Sequence, residues 1–138
     1  MFHYYQPTKI HFGAGQLNEL GHVCRGYGKT CFLVTTPDAP LQPLYERVKK
    51  LLDAEGISVI HFDKVEPNPS VEIVEQGFAM LKEQPADFVL TVGGGSSIDT
   101  AKAIAFANGK ESIDWDHLFN EYSSPFAYYP SYSEKHLP

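Results

Sequence analysis

Residues 88–105 constrain this chain more than any other stretch. An apolar run, Phe88-Val89-Leu90-Thr91-Val92, meets Gly93-Gly94-Gly95. Ser96-Ser97-Ile98-Asp99-Thr100-Ala101-Lys102-Ala103-Ile104-Ala105 then follows with helical spacing. A strand that turns through glycine into a helix presents main-chain N–H groups to whatever lies beyond the turn, backed by the helix dipole. Without Cβ atoms the backbone bends sharply and comes close to a ligand. The pattern therefore predicts a phosphate-binding loop. Ser96 or Ser97 is the expected N-cap, and Asp99 the expected first-turn carboxylate. Ile98, Ala101, Ile104 and Ala105 are the expected inward face, and Lys102 is placed to pair with Asp99.

The rest of the chain repeats an alternation of strand and helix. Thr30-Cys31-Phe32-Leu33-Val34-Thr35 has the near-continuous apolar centre of a parallel strand covered on both faces. After the loop Thr36–Pro40, a helix carries Leu44, Val48, Leu51 and Leu52 on one face and ends at Gly56. Residues 57–62 read as a strand. Val65-Glu66-Pro67-Asn68-Pro69-Ser70 is a loop whose Ser70 is a good N-cap for a helix with Val71, Val74, Phe78 and Leu81 as its stripe. The order β-α-β-α-β-α argues for a parallel α/β sheet with right-handed crossovers. Ligands of such sheets bind beyond the C-terminal strand ends, where loops 36–40, 67–70 and 93–97 gather.

Near the start, Lys9-Ile10-His11-Phe12 reads as a short strand. Gly13-Ala14-Gly15 matches only half of a dinucleotide fingerprint, because position 18 is Asn, and a plain turn is expected there. Residues 112–119 are expected to form a short helix. From Tyr122 onward the chain is rich in tyrosine, proline and serine without period, as in a segment that packs against something else.

Composition bounds the function. The 138 residues suit one domain or a piece of a larger protein, with 17 acidic against 11 basic side chains and a net charge of −6. That balance, with no basic run, argues against nucleic-acid binding. No apolar run approaches the roughly 20 residues of a membrane span. The first residues lack the form of a signal peptide, and Cys24 and Cys31 read as reduced, buried thiols, so a cytoplasmic location is expected.

Residues 92–102, Val-Gly-Gly-Gly-Ser-Ser-Ile-Asp-Thr-Ala-Lys, resemble the signature of the iron-containing (group III) alcohol dehydrogenases. Residues 12–15 resemble that family's early strand-turn, 33–35 its first nucleotide-binding strand, and 62–70 its Asn-Pro loop. The resemblance covers most of positions 8 to 120. It implies an α/β, Rossmann-like parallel sheet flanked by helices: a dinucleotide-binding domain over 1–120, with 121–138 leading towards a C-terminal helical, metal-binding domain. The implied cofactors are NAD or NADP and a divalent metal, iron or zinc, held in that second domain by one Asp and three His. The implied substrate is an alcohol or aldehyde. A Lewis acid stabilises the alkoxide, while hydride transfer belongs to the nicotinamide.

By the same resemblance, Gly94, Gly95 and Ser96 hold the pyrophosphate. Asn68 lies near the ribose-phosphate region, and Asp99 points towards the nicotinamide side of the cleft. Thr36 occupies the strand-end position that often carries Asp in NAD-preferring members. With Asp38 offset by two residues, NAD versus NADP stays open at this point. His3, His11, His22, His61, His117 and His136 show no metal-ligand spacing and read as surface or interface residues. The chain is thus expected to be an N-terminal portion, inactive alone and self-associating as a homo-oligomer, with Lys9–Phe12 as one candidate pairing edge. The alternatives are a nucleotide-binding or self-associating module without catalysis, and a relative of dehydroquinate synthase or glycerol phosphate dehydrogenase. The run Ser-Ser-Ile-Asp-Thr-Ala-Lys at 96–102 favours the alcohol dehydrogenase over the last of these.

Overall fold

The structure, a computed structural model, describes residues 8–122. Its elements are α1 (Leu20–Cys24), β1 (Thr30–Thr35), α2 (Gln42–Asp53), β2 (Ser58–Phe62), α3 (Val71–Glu83), β3 (Phe88–Val92), α4 (Gly95–Ala107) and α5 (Trp115–Tyr122). The strands form a parallel sheet in the order β2-β1-β3. In register, Val34 pairs with Phe62 on one side, and Thr35 with Val92 on the other. The expected α/β architecture is therefore present.

The central strand explains why the sequence reads as it does. From Cys31 to Thr35 every β1 residue is buried. Successive side chains point to opposite faces, so one strand feeds two cores. Phe32 and Val34 pack with Phe62, Val65, Ile73, Val74, Leu81, Ala101 and Ile104. Cys31 and Leu33 pack with Cys24, Val48, Leu52, Ile57 and Phe88. Both cysteines are free and buried, and burial pushes the Cys31 thiol up to about 12, which makes it chemically inert.

Two polar devices close the layers. The Asp87 carboxylate, just before β3, accepts from the N–H groups of Lys29 (2.7 Å) and Thr30 (2.9 Å) and so aligns the starts of β3 and β1. The helix α5 leans on α3 through Trp115 Nε1, which donates to Glu75 at 2.8 Å. On the same face α3 and α4 approach so closely that a Cβ at Gly77 would collide with Ile104 Cδ1.

Several expectations are corrected. Residues 9–12 form no strand, and Ile10 and Phe12 are 79% and 96% exposed. Alternation makes a segment able to pair, but pairing needs a neighbouring strand edge, and none meets it among the described residues. The inward face of α4 is Ser97, Thr100, Ala101, Ile104 and Ala107, while Ile98 is exposed. Counting from Ser97 rather than Ile98 keeps the same 3.6-residue period in a different phase. Gly13 and Gly15 form the expected turn. The tail from residue 123 onward lies outside the described residues.

Candidate functional site

Three loops leave the C-terminal ends of the strands, and hydrogen bonds fix them relative to one another. The chain after β2 is tied to β1 by the Val65 N–H, which donates to the Thr35 carbonyl at 3.1 Å. It is tied to the glycine loop by the Asn68 N–H, which donates to Ser96 Oγ at 3.3 Å. Asn68 sits at φ 53, in the left-handed region that Asn tolerates better than most side chains.

The glycine loop itself has two kinds of glycine. Gly93 has φ 157, and a Cβ there would collide with Ser97 Oγ, so the fold itself requires glycine at this position. Gly94 and Gly95 differ. Their φ values are not among the positive ones, and an added Cβ would find nothing within 4 Å. The protein's own packing gives no reason for glycine at these two positions. What a side chain there would obstruct is the space outside the loop, at the mouth of α4.

That mouth is a helix N-terminus. The first helical bond is from the Ile98 N–H to the Gly94 carbonyl, at 3.1 Å. The N–H groups of Gly95, Ser96 and Ser97 precede it and have no intrahelical acceptor. Gly94, not Ser96 or Ser97, is the N-cap, and no side chain caps it. The glycine turn lets the chain enter the helix two or three residues earlier than capping by Ser96 or Ser97 would have set. Asp99 therefore falls beyond the first turn; it is exposed and makes no ion pair with Lys102. Ser97 Oγ is buried beneath Gly93 and has no hydrogen-bond partner among the described residues. A buried hydroxyl without a partner is unfavourable by itself.

At the end of β1, side chains form a second polar group. Thr36 Oγ1 donates to Asp38 Oδ2 at 2.7 Å and lies 2.9 Å from the hydroxyl of Tyr45, a fully buried residue of α2. Thr35 Oγ1 lies 2.8 Å from His61 Nε2, and the His61 ring meets Tyr45 edge-on at 6.0 Å. Burial, and then the charge of Lys49, hold the His61 imidazole below its ordinary value of 6.5. His61 is thus a partnered strand residue rather than a surface histidine. Sequence reading passed over Tyr45, although residues 45, 48 and 52 share the buried face of α2.

The structure thus brings Asn68, Gly94, Gly95 and Ser96 together at one loop cluster. Thr36 stands one residue past the paired Thr35–Val92 level. Asp99 sits apart, one turn into α4. No group of three His, Cys, Asp or Glu among the described residues is placed to hold a metal ion.

A parallel sheet flanked by helices, with a glycine loop opening at a helix mouth, defines an α/β, Rossmann-like domain. The family model described as iron-containing alcohol dehydrogenase matches residues 7–133, and the chain belongs to that family. It is 42% identical over 116 residues to a probable NADH-dependent butanol dehydrogenase 2 of Bacillus subtilis, covering 83% of this chain and 30% of that one. It is 38% identical over 116 residues to alcohol dehydrogenase 4 of Saccharomyces cerevisiae, covering 82% and 30%. Among solved structures, NADH-dependent butanol dehydrogenase A of Thermotoga maritima superposes with a TM-score of 0.82 at 31% identity, covering 100% of this chain and 33% of that one. The chain spans about a third of the length of these relatives.

Proposed function

We propose that this chain is the NAD(P)-binding portion of a metal-dependent alcohol dehydrogenase, the portion that holds the dinucleotide while the metal ligands lie elsewhere. The observation that carries the reading is the pair Gly94 and Gly95, open to space in front of free helix N–H groups, with the unpartnered Ser97 hydroxyl beneath. A diphosphate suits that site: its oxygens accept from amides, its charge is favoured by the dipole, and its bulk excludes side chains at 94 and 95. In this reading Gly94, Gly95 and Ser96 contact the pyrophosphate, and Asn68 faces the ribose-phosphate. Thr36 marks the adenosine end, and Asp99 lies towards the nicotinamide. A bound nicotinamide supplies hydride transfer to or from the carbinol carbon of a small alcohol. The chain's own work is to bind and orient the cofactor. The whole enzyme is read as a cytoplasmic homo-oligomer acting on an alcohol or aldehyde. Among the described residues no helix is long and apolar enough to cross a membrane.

A second reading is a module that binds nucleotide without catalysis. Titration of the purified chain with NADH, followed by nicotinamide fluorescence, tests the first reading. Saturable binding that is lost in Gly95→Val, with the thermal midpoint retained, is expected. Absence of binding to the folded chain overturns it. Turnover assays with simple alcohols and ferrous or zinc ion separate the two readings, and no sustained turnover is expected from the chain alone.

A further inference from the structure

We propose that Asn108 is a site of spontaneous covalent modification: its side chain closes on the Gly109 amide, loses ammonia and reopens as aspartate or isoaspartate, which loosens the junction between α4 and α5. Asn108 is the residue on which α4 ends, and Gly109 follows it at φ 82. Ring closure needs an amide next in the chain, freedom for that peptide to turn, and no bond that holds it. Gly109 meets each need. It is exposed, a Cβ built on it would meet nothing within 4 Å, and among the described residues its N–H has no hydrogen-bond partner. Asn108 stands at ψ 134, so the peptide has to swing to bring the Gly109 nitrogen onto the side-chain carbonyl carbon. A glycine in open space offers no steric barrier to that swing. The other three asparagines, at 18, 68 and 120, are each blocked. Asn68 precedes Pro69, whose nitrogen carries no hydrogen to lose. Asn18 lies in the helical turn Gln16–Glu19, and its Oδ1 accepts from Arg47 Nη2 at 2.6 Å. Asn120 lies within α5, where the helix holds the amide that follows.

The step balances with water as its only co-reactant. The Gly109 nitrogen gives up its proton and bonds to Asn108 Cγ. The bond from Cγ to the side-chain nitrogen breaks, and that nitrogen leaves as ammonia, carrying the proton. Water then opens the cyclic imide. Cleavage at the side-chain carbonyl yields aspartate, and cleavage at the main-chain carbonyl yields isoaspartate, with an additional methylene in the backbone path. Either product puts a carboxylate at the C-terminal end of α4, where the helix dipole disfavours negative charge. Isoaspartate also alters the length of the link that leads to α5. The ties of that link to α3 lie just beyond the site: Lys82 Nζ donates to the Glu111 carbonyl at 2.8 Å, and Trp115 Nε1 donates to Glu75 Oε1 at 2.8 Å. A register change ahead of both ties pulls on them together.

Peptide mapping by mass spectrometry of the purified 138-residue chain, stored warm at mildly alkaline pH, tests this, with enzymatic methylation of isoaspartyl carboxylates to mark that product. Conversion of Asn108 is expected to run roughly tenfold faster than that of Asn18 or Asn120. It should also quicken as pH rises, because the attacking nitrogen is the deprotonated amide. Trp115 is the one tryptophan of the chain, so its emission reads the α5 junction directly. That emission should move to longer wavelength as the unaltered chain ages. In Asn108→Gln, whose longer side chain closes its ring far more slowly, it should hold steady over the same period. Absence of conversion at Asn108, equal conversion at positions 18, 108 and 120, or an emission that stays in place while Asn108 converts overturns the proposal. So does an emission shift of the same size in Asn108→Gln.

Discussion

The N–H of Asn68 donates to the side-chain oxygen of Ser96 across 28 positions of sequence, at 3.3 Å. Through it the loop after β2 is held against the first turn of α4, so the Asn-Pro loop and the glycine loop form one surface. Asn68 reaches that position only by taking φ 53. Asn68→Gly should therefore leave stability nearly unchanged. Asn68→Ala should lower it by about 1 kcal/mol, the cost of a Cβ in the left-handed region. Urea titration of both variants checks this, and equal losses would remove the backbone explanation.

The glycines of the loop should separate in their effects. Gly93→Ala places a Cβ against Ser97 and should destabilise the fold by about 2 kcal/mol, within the range of overpacking. Gly94→Ala meets nothing within 4 Å and should leave the thermal midpoint in place while weakening NADH binding. Paired melting curves and fluorescence titrations distinguish the two. A large loss of stability in Gly94→Ala would refute the division.

Removing the buried Ser97 hydroxyl should raise, not lower, the stability of the chain. Ser97 Oγ has no partner, so Ser97→Ala removes an unsatisfied group and should gain about 1 kcal/mol. If the hydroxyl serves a bound diphosphate, the same variant binds NADH more weakly. A destabilised Ser97→Ala would mean that the hydroxyl already has a partner.

The α3–α4 contact offers a cycle. Gly77→Ala should cost about 2 kcal/mol through collision with Ile104 Cδ1. Ile104→Val removes that atom, so the double variant should lose clearly less than the sum of the singles. Strict additivity in denaturant titration would show that the two helices do not constrain each other here.

His61 should impose an acid-side slope on stability. Its folded value lies below 6.5, because burial and Lys49 disfavour the imidazolium more than Asp63 and Glu46 favour it. The unfolded chain therefore binds the proton first, and stability present above pH 6.5 is lost as pH falls below it. Glu46 and Glu72 are held below their ordinary 4.5, Glu46 chiefly by Lys49 and Glu72 chiefly by Ser70. Their stabilising contributions are lost only at lower pH. Melting curves between pH 7.5 and about 5.5 should fall for the unaltered chain and flatten in His61→Gln. An unchanged slope would assign it to other groups.

The alternation of elements, strands β1–β3, the stripes of α2 and α3 and the glycine loop were legible in the sequence, because each is written in local periodicity and chain stiffness; the stripe of α4 was read one residue out of phase. Residues 30–35 can be little other than a strand covered on both faces, and 93–95 little other than a turn. The helix start was not legible. Serines at 96 and 97 suggest an N-cap, but Gly93 turns the chain so early that Gly95 is already helical and Ser97 faces inward. Nor did Lys9–Phe12 show whether it would pair, since β-propensity belongs to the segment and pairing to its neighbours.

The sequence by itself determined the class of fold and the place of the glycine loop, because hydrophobic period and glycine act over a few residues. Only the tertiary structure decided which glycine the packing requires, Gly93, and which face open space, Gly94 and Gly95. It also decided that Thr36 meets both Asp38 and Tyr45, and that Asn68 meets Ser96. These contacts join residues whose spacing along the chain carries no period, and packing alone brings them within hydrogen-bond reach.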